Sequence, residues 1–178
     1  INRDKDPLIV DSCLIPVNLY QFMHQQLDIL DSIESELRPV LKLILILLYR
    51  TGMRFMEVLS LRLSDIEYDN QGFIEYHIVL RPHAQRALKS DDATRRFMLN
   101  VLLPSDEINH FKQYFHQKLQ QNGHYLFTLP HLAQPIDKNR VELPFRDILN
   151  HPILQDKYRD ITMHSFRHNA ISNLAIIL

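Results

Sequence analysis

Cysteine is almost absent: Cys13 stands alone in 178 residues, so no internal disulfide can form, and no Cys/His spacing of zinc-finger type accompanies it. Nothing in this usage points to an oxidising compartment or a cross-linked fold, and an intracellular protein is the plain expectation. Long apolar runs are also missing. The longest, from Val40 to Tyr49, is interrupted by Lys42 and falls far short of the roughly 20 residues needed to cross a bilayer. It predicts a buried helix, and no membrane partner is expected. No basic-apolar-small pattern of a signal peptide opens the chain, although a start at Ile1 rather than Met implies that the natural start lies upstream. Glycine is scarce, and Gly52, Gly72 and Gly123 fall singly, where elements should end. No repeat period or low-complexity tract is present. Charge of one sign is lacking too: the formal net charge is −1, which by itself does not advertise a nucleic-acid partner.

What is present is unevenly placed. Residues 1–40 hold seven acidic groups against three basic ones, so the remainder is net basic. The segment from Arg81 to Arg96 carries Arg81, Arg86, Lys89, Arg95 and Arg96 against Asp91 and Asp92, and could either follow a phosphate backbone or form a solvated hairpin. Close to half the residues are apolar, enough for one substantial core, and a single domain over 1–178 is expected. After Pro16, Leu19, Phe22, Met23, Leu27 and Leu30 recur at helical spacing; a second helix runs from Pro39 to Tyr49 and ends at Gly52, and a short third carries Arg54 to Arg62. Residues 73–80 and 96–103 predict two strands of a small sheet. Ser105 is the expected N-cap of a helix whose face is Ile108, Phe111, Tyr114, Phe115 and Leu119, closed by Asn122-Gly123. A further helix is expected at Pro144–Asn150, and a last one from about Thr162, with Met163, Phe166, Ala170, Leu174 and Ile177 as its apolar stripe.

Two short segments carry chemistry. In the stretch from Thr51 to Arg62, a helix ends at Thr51-Gly52, Arg54 follows, Glu57 comes three residues later, and Leu59 and Arg62 close a leucine-rich turn. Gly52 permits the chain reversal, and Arg54 offers a planar, permanently charged fork suited to two phosphate oxygens. The second segment is His164-Ser165-Phe166-Arg167-His168. A spacing of three puts His164 and Arg167 on one helical face, while Met163, Phe166 and Ala170 take the other.

Each segment alone is a weak signal; together, in this order and with a basic hairpin between them, they resemble the two arginine boxes of the tyrosine recombinases, the phage integrase family. The resemblance covers residues 15–178 and implies a mainly α catalytic domain with a small antiparallel β-sheet. It implies roles as well. Arg54 and Arg167 would clamp the phosphate under attack, and Lys89, in the hairpin, would give a proton to the leaving 5′-oxygen. His164 would bond the phosphate or move the nucleophile's proton, with Glu57 and His168 as supporting groups. Arg81, Arg86, Arg95 and Arg96 are the candidate DNA-backbone contacts. Such an enzyme cuts through a 3′-phosphotyrosyl link with no cofactor, acts on double-stranded DNA as a tetramer on two sites, and works in the cytoplasm, associated with the nucleoid when bound to DNA. The nucleophilic tyrosine and a second His or Trp are expected beyond Leu178, and an N-terminal DNA-binding domain before Ile1, so this stretch should supply the clamp without the nucleophile.

Other readings remain open at this point. Lys89 could be an ordinary loop lysine. His164 and His168, four apart, could ligate a metal, but no third ligand is evident and no metal is expected. Arg54 could merely pair with Glu57 in an inert scaffold. A non-catalytic DNA-binding relative is the principal alternative, and type IB topoisomerases share related chemistry.

Overall fold

The computed structural model describes residues 14–69, 75–83, 94–129 and 132–177, with side chains to residue 173. Seven α-helices and three strands are found among them, besides two short 3-10 turns: α1 (Val17–Ile29), α2 (Arg38–Thr51), α3 (Phe55–Leu59), β1 (Ile66–Tyr68), β2 (Tyr76–Leu80), β3 (Arg95–Met98), α4 (Leu99–Leu102), α5 (Ser105–Gln120), α6 (Lys138–Leu149) and α7 (Met163–Ile177). The mainly α class with a small antiparallel sheet is therefore correct. None of these helices is long and apolar enough to cross a membrane.

Helix α2 is the hub. Its run from Leu43 to Tyr49 is buried on every side, as expected of a helix that is apolar all round, and it packs against α1, α3, α5 and α7. Pro39 lies in its first turn, where a missing N–H is harmless. Arg38, at its start, donates to the carbonyls of Asp28, Leu30 (3.0 Å) and Ile33 (3.3 Å), closing the C-terminal end of α1, which has no basic residue of its own in its last turn. At the other end, Arg50 forms a two-pronged pair with Glu107 of α5 (2.8 Å for both contacts), and the Tyr20 hydroxyl of α1 donates to the same carboxylate at 2.8 Å. Burial, then the adjoining carboxylate, pushes the Tyr20 hydroxyl far above its ordinary range. This buried knot ties three helices together, and nothing in the sequence pattern singled it out.

The sheet has the order β1-β2-β3, antiparallel throughout. Ile66, Ile78 and Phe97 stand in register across one face and pack on the core, while Glu67 and Arg96 belong to the opposite face and pair there at 2.8 Å. The expected strand over 96–103 ends early. It is β3 only to Met98, after which the chain turns into α4, and the Asn100 side chain accepts the Tyr76 N–H at 2.8 Å in place of a ladder partner. The strand expected over 73–80 is β2 from Tyr76; residues 73 and 74 lie outside the described ones.

Two helix starts also differ from expectation. Helix α5 begins at Ser105, but Pro104 occupies the N-cap position and no side-chain cap bond forms. Helix α6 begins at Lys138, six residues before Pro144, because the Asp137 side chain accepts the Asn139 N–H at 2.9 Å and nucleates the helix there. Val141, Phe145 and Ile148 then form its buried face, with Pro144 carried inside the helix. In α7, Met163, Phe166 and Ala170 are buried as the stripe predicts.

Candidate phosphate-binding site

The first box is built by the way α2 stops. The Thr51 hydroxyl donates back to the Leu47 carbonyl at 2.7 Å and accepts the Met53 N–H at 3.2 Å. Gly52 then takes a left-handed conformation, with φ of 67°, which costs a side-chain-bearing residue about 1–2 kcal/mol. Gly52 is needed for a second reason: a Cβ there would lie 3.3 Å from the Ala170 Cβ of α7. The missing side chain thus lets the end of α2 touch the helix that carries the second box. Arg167 uses this contact, its Nη1 donating to the Gly52 carbonyl at 2.6 Å. Gly52→Ala is accordingly expected to lower the Tm by about 2–8 °C in a thermal melt, combining backbone strain with the Ala170 contact. An unchanged Tm would mean that neither constraint operates.

Arg54 follows immediately and serves as the N-cap of α3. Its backbone N–H donates to Glu57 Oε2 at 2.7 Å, the backward half of a capping box, and its own Nη1 donates to Glu57 Oε1 at 2.9 Å. The Nη2 of Arg95, from β3, reaches the same Oε1. The Glu57 side chain is only 6% exposed, whereas those of Arg54 and Arg95 are 41% and 30% exposed. A buried carboxylate is therefore gripped from two elements by guanidiniums that keep an outward side.

The electrostatics follow from this geometry. Burial opposes ionisation of Glu57, but the Arg54 N–H, the Arg54 guanidinium and Arg95 together outweigh it, and the carboxyl is held below its usual range. Arg167 is shifted downward, first by burial and then by the positive charges of Arg54 and Arg95, with Glu57 opposing. Three guanidiniums thus act on one another across a single acidic group, leaving two positive charges in excess among these four residues. Such a cluster is relieved by an incoming anion, and fixed arginine forks match phosphate oxygens well.

The remaining expected site residues are placed as follows. His164 and His168 are exposed on α7, their rings edge to face with centroids 4.4 Å apart. His164 stands one turn before Arg167, opposite the buried stripe. Arg81 and Arg96 lie together but away from Glu57, both engaging the exposed carboxylate of Glu67 on the outer face of the sheet. Arg95 separates from its neighbour Arg96 because consecutive strand residues face opposite ways. Lys89 and Arg86 lie outside the described residues. The junction of Gly52 with Ala170 has no signal in the sequence beyond a small residue at each position.

Residues 20–176 match the phage integrase family. Among solved structures, the crystal structure of XerH site-specific recombinase bound to difH substrate, a pre-cleavage complex, shares the fold with a TM-score of 0.64 at 18% sequence identity, over 93% of this chain and 43% of that one. The chain thus spans less than half the length of that protein. None of the curated proteins compared with it matches. With a family match running through both arginine boxes and nearly every element of the fold, the chain belongs to the phage integrase family.

Proposed function

We propose that these residues form the phosphate-binding part of a site-specific DNA recombinase, which cuts one strand of a duplex through a 3′-phosphotyrosyl link and rejoins it to a partner strand. The observation that carries this reading is the Gly52 junction, where Arg167 of α7 donates to a carbonyl two residues before Arg54 and so brings the two boxes, more than a hundred residues apart, to one place. A phosphodiester under attack gathers negative charge on its non-bridging oxygens. Two guanidiniums already fixed by Glu57 and by the Gly52 carbonyl stabilise that charge more than the ground state and need no reorganisation to do so.

In this reading His164, on the exposed face of α7 one turn from Arg167, bonds the phosphate or shuttles the nucleophile's proton, with His168 steadying its ring. Lys89 protonates the leaving 5′-oxygen. Arg81, Arg86 and Arg96 hold the flanking backbone. The phosphotyrosyl link conserves the energy of the original phosphodiester, so rejoining requires no cofactor. Double-stranded DNA is the partner, in keeping with the fold shared with a recombinase solved on its DNA substrate. The proposed assembly is four protomers on two sites, and the proposed setting is the cytoplasm, at the nucleoid.

DNA binding tests the clamp without requiring the target sequence. The chain should bind a short duplex of arbitrary sequence weakly, with affinity falling steeply as salt rises, since phosphate contacts release counterions. Arg54→Ala and Arg167→Ala should each lower the slope of log affinity against log salt by about one. Slopes unchanged in both variants, measured by fluorescence anisotropy, would remove the phosphate-clamp reading.

A further inference from the structure

We propose that Arg95 is a positioning residue of the phosphate site, holding Glu57 from the sheet side and through it the guanidinium of Arg54, rather than an independent contact to the DNA backbone. The inference rests on the phosphate-clamp reading for its purpose, but its geometry stands separately. Arg95 is the first residue of β3 and pairs with Leu80 across the sheet, so its backbone is anchored by the ladder. Its Nη2 meets Glu57 Oε1, the same oxygen that accepts from Arg54 Nη1. Its guanidinium also lies over the Phe97 ring, 5.6 Å from the centroid, which supports the flat fork on its apolar side.

Sharing one oxygen has a mechanical consequence. Glu57 is tied to the start of α3 by the Arg54 N–H at Oε2, while its Oε1 is met only by guanidiniums, the ends of flexible side chains, so rotation of the carboxylate is the motion left to restrain. Arg95 stops that rotation from the opposite side. With Arg95 in place, Oε1 is fixed where Arg54 meets it, and the outward N–H groups of Arg54 are aimed. Without Arg95 the carboxylate can turn, and Arg54 loses its stop. Arg96, by contrast, points to the other face of the sheet and engages Glu67, so adjacent arginines serve different surfaces. The same link joins the strand that follows residues 84–93 to the first box.

Among the described residues, the charged groups facing Glu57 are Arg54 at the N-cap of α3, Arg95 from β3 and Arg167 from α7. Because its carboxyl is held below the usual range, its contribution to stability is present above the ordinary carboxylate pKa and is lost as pH falls through the lowered folded value. If Arg95 acts through Glu57, the Tm deficit of Arg95→Ala shrinks as the pH is lowered and disappears in a Glu57→Gln background at neutral pH.

The experiment combines this double-mutant cycle with binding of the short duplex used above. Arg95→Ala should weaken binding roughly tenfold, about 1.4 kcal/mol, in the otherwise intact chain, and should have no further effect once Arg54→Ala is present. Arg95→Lys, which keeps the charge, should recover part of the loss. A deficit in Tm that is additive with Glu57→Gln overturns the proposal without touching the phosphate reading. A loss of affinity that persists in the Arg54→Ala background, with the salt slope lowered by about one, makes Arg95 a separate backbone contact and also overturns it. Coupling of Arg95 to Glu57 with no effect of Arg54→Ala or Arg167→Ala on binding instead overturns the phosphate-clamp reading on which the purpose depends.

Discussion

In the recombinase proposed above, Arg167→Ala is expected to slow strand cleavage by about a hundredfold to a thousandfold, and Arg54→Ala by a similar factor, the range found when one preorganised donor to a developing negative charge is removed. Both side chains are held before substrate arrives: Arg54 by Glu57, and Arg167 by the Gly52 carbonyl. A held donor contributes mainly where charge increases, which is at the transition state. The loss should therefore appear in the single-turnover rate at saturating protein more than in the affinity for DNA. The double variant should cost less than the product of the two single effects, because the arginines act on one phosphate. Lysine at either position separates charge from shape. It keeps the cation but cannot offer two parallel donors, so Arg167→Lys should restore much of the DNA binding and little of the rate. Rates unchanged at saturation, with only affinity reduced, would reassign both arginines to backbone contacts.

Local sequence signals sufficed where an element depends on its own residues. Helix α2 was legible at both ends because Pro39 and Gly52 act locally, and α7 because Met163, Phe166 and Ala170 repeat at helical spacing. Strand β1 was not legible. It consists of Ile66, Glu67 and Tyr68 alone, too short for any period, and exists because β2 pairs with it. The end of β3 depends likewise on a long-range event, the Asn100 side chain capturing the Tyr76 N–H from 24 residues away. The start of α6 is obscured in the sequence because Pro144 is a stronger local signal than Asp137, although Asp137 makes the cap.

The site shows the same division. Arg54, Glu57 and Arg167 stood out because each box is a short local run at the start of a helix, with Arg54 and Glu57 three residues apart in one and His164 and Arg167 three apart in the other. Arg95 and Arg96 were indistinguishable in sequence, since both are basic, adjacent and next to a strand. Only the register against β2, with Leu80 opposite Arg95 and Val79 opposite Arg96, decides which of them faces Glu57. The knot of Tyr20, Arg50 and Glu107 left no trace in sequence for a related reason: its members come from three helices and share no spacing.

The 178-residue chain should form no covalent link to DNA, because its seven tyrosines are buried, bonded or packed against residues outside the Glu57 cluster. The Tyr20 hydroxyl donates to Glu107 at 2.8 Å, Tyr76 is bonded to His116 at 2.7 Å, and Tyr114 donates to the Leu126 carbonyl at 3.3 Å. Tyr49 and Tyr125 are buried, Tyr49 stacked on Tyr20 and Tyr125 beneath the Arg62 guanidinium. Burial raises the hydroxyls of Tyr20, Tyr49, Tyr76 and Tyr114, which moves each further from the phenolate an attack requires. Tyr68 is exposed, but its ring packs against Tyr76, Phe115 and His116, none of which belongs to the Glu57 cluster. Tyr158 packs against the core in a groove with Phe22 and Leu154. If Arg54 and Arg167 clamp a phosphate as proposed and no tyrosine of this stretch can attack it, there is nothing to transfer. The measurement is incubation with a nicked duplex followed by denaturing electrophoresis, scored for a protein-linked strand. The same assay on a protein that adds the helices the family resemblance places after the second box, on its own recombination site, should give the linked species. An adduct from the 178 residues alone would identify one of these tyrosines as the nucleophile, and Tyr158→Phe and Tyr68→Phe would then say which. No adduct from the longer protein on its own site would leave DNA binding without strand transfer as the activity of this clamp.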